Sequence, residues 1–249
     1  MRVLDSHCHL GKNSLFDKPS AFLEDFKKLN RKYNARFIPS IATPSNFQDL
    51  KEKTQELIRI VAENKIFAGI CFWAVDKYWK ESQTLLQGIP VGMIKMIKIM
   101  NPWEKQKLKD SKGNQKIIEL AIEHRIPVYV HVYYDKEREI FEKLARQHYD
   151  CTFILGHLGN ANPVEEDKMK YVMKIMDENK NVFIETSGLS YVNTLEPLAR
   201  LFSERILFGS DFPGRYFSAQ LIAIQESTID EVTKRKILND NATKLFLIT

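Results

Sequence analysis

The sequence predicts an α/β fold, a single (β/α)8 TIM-like barrel over residues 1–249. Three observations predict it. Eight short apolar runs recur, their starts 24 to 35 residues apart. Segments of helical character separate them. A chain of 249 residues has the usual size for such a barrel, which is about 250. An open doubly wound sheet is the alternative, since it requires no particular number of strands. With no linker, second composition regime or repeat beyond the strand-helix alternation, one domain is the economical reading.

The runs, in order, are RVLDSHCH (2–9), ARFIPSI (35–41), IFAGICFW (66–73), VGMIKMIKIM (91–100), IPVYVHVY (126–133), CTFILGH (151–157), NVFIETS (181–187) and RILFGSD (205–211). They are short, and several are rich in Val, Ile and Phe, the pattern of parallel strands buried on both faces. Helix starts lie between them. Ser45 to Gln48 reads as a capping box before QDLKEKTQELIRIVAEN. Asn162-Pro163 supplies a cap and a proline for the first helical position, with Glu165 and Glu166 in the first turn. Asn193 to Glu196 and Thr228 to Glu231 repeat the capping-box pattern. Gly11, Gly88 and Gly113 read as punctuation. KYWKESQTLLQ (77–87) is the weakest helix of the set.

Apolar residues make up 44% of the chain and charged residues 28%, a globular balance. The net charge is +5 and the lysines are spread out, except in the lysine-rich stretch from Lys95 to Lys112. That stretch reads as a solvated face, and no nucleic-acid partner is expected. Cys8, Cys71 and Cys151 cannot all pair, and each lies in an apolar run, which suits buried thiols in a reducing compartment. No signal peptide or membrane-length run is seen. A cytoplasmic location, with no membrane partner, is the expectation.

In a barrel, chemistry sits at the carboxyl ends of the strands. Run one ends at His7 and His9, run five at His131, run six at His157 and run eight at Asp211. Four of the six histidines stand at strand ends; His124 and His148 lie in helical segments. Side chains alternate along a strand, so His7 and His9 share a face. Imidazole and carboxylate are the usual ligands of catalytic zinc, which keeps a position open for water. His7, His9, His131 and Asp211 can therefore bind one metal from three strands, leaving His157 to orient or deprotonate water. Any one of these histidines could be ordinary core; together at strand ends they point to a metal site.

DSHCHLG, VYVHVY, ILGHLGN, NVFIETSG, ILFGSDFP and ILNDNATKLF, in this order, resemble the amidohydrolase superfamily. More narrowly, they resemble its amidohydrolase-related branch of metal-dependent hydrolases and decarboxylases. The resemblance runs from Asp5 to Phe246. It implies a distorted (β/α)8 barrel, ligation by His7, His9, His131 and Asp211, and catalytic acid-base work for His157, with Asp211 also in the reacting machinery. In binuclear members the strand-six and strand-five histidines bind a second metal bridged by a carboxylated lysine on strand four. Here Lys95 and Lys98 are the candidates, with His157. Three apart, they point to opposite faces, so only one reaches the interior. One divalent ion, Zn2+ with Mn2+ as the alternative, is the expectation. Metal-dependent nucleases that share the opening motif resemble the chain less well, since they carry a glutamate where this chain has IKMIKIM.

Loops after the strands should shape the pocket for a small-molecule substrate. Candidates are Trp73, Asn101, Trp103, Tyr133, Tyr134, Asn160 and Arg215, the last as a carboxylate or phosphate clamp. Glu185 points either into the mouth or toward the helices, and a role in holding a histidine suits it. The connections are short for the family, which suits a small substrate or a site completed by a neighbouring subunit in a homodimer. The leading function is hydrolysis of an ester, lactone or amide. The alternative is non-oxidative decarboxylation of a small aromatic acid, and the third reading is a barrel that has lost catalysis and only binds.

Overall fold

The computed structural model describes residues 1–14, 19–90, 92–104, 107–160 and 165–248. Strands and helices alternate along them. The strands are β1 (Val3–Leu10), β2 (Ala35–Ile41), β3 (Ile70–Ala74), β4 (Ile94–Ile99), β5 (Val128–Val130), β6 (Phe153–Leu155), β7 (Val182–Glu185) and β8 (Ile206–Leu207). The helices are α1 (Leu23–Tyr33), α2 (Phe47–Glu63), α3 (Trp79–Gln87), α4 (Lys112–Glu123), α5 (Asp135–Gln147), α6 (Glu166–Glu178), α7 (Val192–Phe202), α8 (Phe217–Gln225), α9 (Glu231–Arg235) and α10 (Asn241–Leu245). Each of the eight apolar runs contains one strand, so the period seen in the sequence is the period of the fold.

All ladders are parallel: β1 pairs with β2, and β3 through β8 pair in chain order. Isolated bridges, rather than continuous ladders, stand between the two sheets. Phe37 bridges Phe67 beside β3, and Cys8 bridges Phe212 beyond β8. The strand order and the parallel ladders are those of a (β/α)8 barrel.

Two apolar clusters show what holds it. The inner one takes one residue from every strand: Leu4, Ile38, Cys71, Met96, Tyr129, Ile154, Phe183 and Leu207. Ala242 and Phe246 of the carboxyl-terminal segment close its floor. The outer cluster packs strand residues such as Phe37, Ile97, Val130 and Ile184 against helix residues such as Phe26, Leu57, Ile118 and Phe141. Strand residues are buried on both faces, which is why their sequence does not alternate. Two residues beyond the inner layer, the same face carries Trp73, Lys98, His131 and Glu185, all buried.

Several local expectations change. The first turn of α2 is capped one residue later than expected, by the Asn46 side chain accepting from the Asp49 backbone, while Ser45 donates to the Asp49 carboxylate. Asn193 lies inside α7, and Thr228 donates to Glu196 while Asp230 caps α9. The Asn162-Pro163 cap lies outside the described residues. The weakly patterned stretch 77–87 does carry α3. The lysine-rich stretch is not one solvated face: Lys98 is buried and Lys109 pairs with Glu104. The three cysteines are free and buried. No helix among the described residues is long and apolar enough to cross a membrane.

Gly113 is not punctuation but a contact point inside α4. A Cβ there would stand 2.0 Å from the Asp76 carbonyl oxygen. Gly113→Ala should destabilise the fold by about 1–3 kcal/mol, the range for overpacking a tight contact. A lowered urea midpoint checks this.

Candidate metal centre

The barrel mouth is built on an irregularity in β1. Between Asp5 and Cys8 this strand uses three steps where β2 uses two, from Phe37 to Pro39. Such a bulge re-aims side chains. It also leaves backbone groups to pair with the segment after β8. Ser6 donates to Phe208 O (2.9 Å), Asp211 N to His7 O (2.7 Å) and His9 N to Phe212 O (2.7 Å). Buried Asp5 fixes the same segment, accepting from Ser210 N (3.0 Å) and Ser210 Oγ (2.5 Å). The chain ends of the motif pair, some two hundred residues apart, are thus stitched directly together.

His9 Nδ1 lies 2.9 Å from the Ile41 carbonyl oxygen. A carbonyl only accepts, so the proton is on Nδ1 and the Nε2 lone pair faces outward. His7 Nδ1 lies 3.0 Å from Glu185 Oε1, so its proton too is on Nδ1. His7 Nε2 is buried without a hydrogen-bond partner. The two free lone pairs stand 3.8 Å (His7) and 3.4 Å (His9) from the same atom, Asp211 Oδ1. Three acceptors turned toward one another without a proton between them form a donor set for a cation. Zinc bonds of about 2.0–2.1 Å in a tetrahedron place ligand atoms about 3.3 Å apart, so this donor set fits a divalent metal.

His7 is the shared corner of two such groups: His7, His9 and Asp211, and His7, His131 and His157. His131 is less ready than expected for a ligand. Tyr133 OH stands 2.7 Å from its Nδ1 and Tyr129 OH 3.1 Å from its Nε2. Tyr129 donates to Glu185 (2.8 Å), so it accepts from Nε2–H, and Tyr133 donates to Nδ1. Both ring nitrogens of His131 are thus engaged by tyrosine hydroxyls. His157 turns Nδ1 toward Ser187 Oγ (2.8 Å), leaving Nε2 for the mouth.

Glu185 is fully buried and takes the role of holding histidines. Besides His7 and Tyr129 it accepts from His157 N (2.7 Å), Ser187 Oγ (2.6 Å) and Ser187 N (2.7 Å). A Cβ at Gly209 would lie 2.0 Å from Glu185 Oε2, and one at Gly156 would lie 2.2 Å from Tyr129 OH. Those two glycines, with Tyr129 and Ser187, are site residues that motif reading passed over. For the glycines a signal was present: Gly156 stands beside His157 and Gly209 two residues before Asp211. His157, Leu158, Asn160 and Asp211 all have left-handed backbone, φ between 53° and 60°. Such strain in non-glycine residues gathers at functional sites.

Of the remaining candidates, Lys98 faces the interior, its ammonium 4.7 Å from the Trp73 ring centre and 5.5 Å from that of Tyr129. Lys95 reaches the other end of the barrel and donates to Phe246 O (3.2 Å), which removes it as a second-metal ligand. Trp73 is only 2% exposed and donates to Met100 O, so it lies beneath Lys98 with no face open to a substrate. Asn101 accepts from Trp103 N, and Trp103 donates to Pro44 O. Arg215 is 43% exposed, with Nε 3.9 Å from Asp211 Oδ2. Tyr133 and Tyr134 are exposed at the rim.

Burial pushes His7 down to about 4, although Glu185 pulls the other way. Burial and then the Lys98 charge lower His131 further, and burial also lowers His157. Burial alone would raise Asp211; the positive charge that the neighbouring His9, His7 and His157 carry when protonated holds it well below the usual carboxylate range.

The chain belongs to the amidohydrolase family: the family profile matches residues 21–248, with the His7/His9 motif just before the matched span. No curated protein matches the chain. Among solved structures it is similar to an amidohydrolase from Burkholderia multivorans with bound zinc (12% identity, TM-score 0.81, 100% of both chains). It is also similar to a probable 2-pyrone-4,6-dicarboxylic acid hydrolase from Acinetobacter baumannii with bound citric acid (15%, 0.71, 100% of both chains). A third is a dihydroxybenzoic acid decarboxylase from Polaromonas sp. JS666 with bound manganese and the inhibitor 2-nitroresorcinol (15%, 0.70, 99% of this chain and 97% of that one). The chain is an enzyme of the amidohydrolase superfamily on a (β/α)8 barrel.

A base whose folded pKa is lowered leaves the unfolded chain holding more protons between the two values. For His7 that window runs from about 6.5 down to about 4, and His131 and His157 act in the same direction. Asp5, raised by burial to about 7, opposes them singly. The metal-free protein should therefore lose stability as pH falls from about 6.5 to about 4. Thermal unfolding across that range, in chelator, checks the sign.

Proposed function

We propose that this protein is a metal-dependent hydrolase that opens an ester, lactone or amide bond in a small anionic substrate. The observation that carries the reading is the convergence of His7 Nε2, His9 Nε2 and Asp211 Oδ1, with His157 on the far side of His7. His7, His9 and Asp211 would hold the ion, and His131 would complete the set. When bound, a divalent ion, zinc in the first place or manganese, supplies Lewis acidity and water activation there.

The chain's own groups do the rest. His157, kept neutral at working pH by burial, accepts the proton of the attacking water at Nε2 and returns it to the leaving oxygen or nitrogen. Ser187 holds the opposite nitrogen and so sets the direction of Nε2. Arg215, on the rim beside Asp211, pairs with a substrate carboxylate. Tyr133, whose hydroxyl burial keeps protonated, donates a hydrogen bond to substrate oxygen from the same side, and Asn160 stands on the loop after His157. Lys98 adds fixed positive charge beneath the site, which favours an anion above it. It is also the one strand-four lysine placed to serve a binuclear variant with His157.

The second reading is non-oxidative decarboxylation of a small aromatic acid. It uses the same residues, with His157 handling the proton at carbon, and is supported by the fold shared with the Polaromonas decarboxylase. A cytoplasmic, homodimeric enzyme is the setting proposed for either reaction.

Metal analysis by mass spectrometry should find about one equivalent of zinc or manganese in the purified protein, lost in His9→Ala. Glu185→Gln should weaken metal binding by about 10–100-fold, as expected for a group that orients a ligand histidine. Arg215→Ala should raise KM for a carboxylate-bearing lactone more than it lowers kcat. Release of carbon dioxide from an aromatic acid, with no lactone or ester hydrolysis, would replace the first reading with the second.

A further inference from the structure

Glu137 is the third residue of α5 and is fully buried. Its two carboxylate oxygens face different loops. Oε2 accepts from the backbone N–H of Tyr133 (2.8 Å) and of Tyr134 (3.3 Å), in the loop after β5. Oε1 accepts from the backbone N–H of Lys107 (2.6 Å) and of Leu108 (3.2 Å), in the loop after β4. One anion thus ties two neighbouring walls of the mouth.

A helix cap explains only half of this. A glutamate at this place returns to the N–H at the helix start and gains from the positive end of the helix dipole. The bond from Tyr134 is that contact. A surface cap leaves its second oxygen in water. Here that oxygen reaches 30 residues back along the chain to Lys107. Burying a carboxylate is unfavourable unless several donors meet it, and four backbone donors do.

Both tied segments lead to the metal centre or its rim. Tyr133 stands two residues beyond His131, with its hydroxyl 2.7 Å from His131 Nδ1. Tyr133 is 39% exposed, so packing alone does not aim its ring, and the hold on its backbone N–H does. The loop after β4 carries Asn101 and Trp103, and the Asn101 N–H returns to the Lys107 carbonyl (3.4 Å). Leu108, fully buried, anchors the end of that loop.

We propose that Glu137 is a positioning residue for the substrate side of the mouth. By holding the two loops in one arrangement it keeps the Tyr133 hydroxyl over His131. It acts through Tyr133 and not on the metal ligands. The effect on substrate rests on the hydrolase reading; the hold on Tyr133 does not.

The first test is nitrogen-15 NMR of the histidine-labelled, metal-free full chain at about pH 8, where burial leaves His131 neutral. Tyr133→Phe removes the hydrogen bond to His131 Nδ1 and should shift that nitrogen's signal. Glu137→Gln keeps the size of the side chain but sets an amide NH2, which cannot accept, against one of the two loops. It should shift the signal in the same direction, and the double variant should shift it no further than Tyr133→Phe alone. An unmoved signal in folded Glu137→Gln, or additive shifts in the double variant, overturns the proposal. Should Glu137→Gln lose its fold by circular dichroism, Glu137→Asp takes its place. The charge then stays, the shorter side chain cannot span both loops, and the same outcomes apply. The second test is kinetic. Glu137→Gln should raise KM for a carboxylate-bearing lactone by about tenfold, the weight of one hydrogen bond, with zinc content unchanged. An unchanged KM, or lost zinc, overturns the role in placing substrate. No hydrolysis by the unmodified chain, with the NMR shifts as expected, removes the hydrolase reading and leaves the hold on Tyr133 supported.

Discussion

Glu185 is a carboxylate with no exposure to solvent, and its charge is tolerable only because donors from β1, β5 and the segments after β6 and β7 converge on it. His7 Nδ1, Tyr129 OH, His157 N and both polar groups of Ser187 all point at its oxygens. A buried carboxylate without such partners would cost several kcal/mol and take up a proton. With them it stays ionised, and it decides two things at once. It puts the His7 proton on Nδ1, freeing Nε2 as a ligand atom. It also fixes the start of the left-handed turn that carries His157. Gly209 exists where it does because a Cβ would occupy the space of Glu185 Oε2. The mouth of the barrel is arranged around this one anion.

Electrostatics and strain follow from it. Three imidazoles, His7 and His131 buried and His157 partly so, remain neutral while Lys98 stays beneath them on the faces of Trp73 and Tyr129. A neutral imidazole is the form that binds metal. Left-handed residues at 157–160 and at Asp211 are held by packing on either side: Gly159 sits between Leu155 and Val172, and Asp211 N is tied to His7 O. The rigid barrel thus overrides local backbone preference at the positions where the chemistry sits.

The strand-helix alternation and the inward histidines were legible in the sequence because period and strand-end position follow from burial alone. Those strand-end positions fall into two groups that share His7: one with His9 and Asp211, the other with His131 and His157. The alternation rule also separated Lys95 from Lys98, although it could not say which faced inward; that depends on the register of β4, seen when Met96 joins the inner layer. Helix caps at Asn193 and Thr228 were misread because serine- and asparagine-type caps recur wherever polar residues precede an apolar run, and tertiary contacts such as Thr228 with Glu196 decide between them. Tyr129 was unreadable as a site residue: in YVHVYY it looks like strand filler, and only the third dimension brings its hydroxyl to His7, His131 and Glu185.

The central claim is that His7 Nε2, made available by Glu185, is the corner of a metal site shared with His9 and Asp211. Anomalous diffraction from crystals grown with zinc tests it most directly. The account predicts a peak about 2.0–2.1 Å from Nε2 of both His7 and His9, with an Asp211 oxygen completing the contact. A peak held by other residues without His7, or a zinc-loaded crystal with no peak at the barrel mouth, would contradict it.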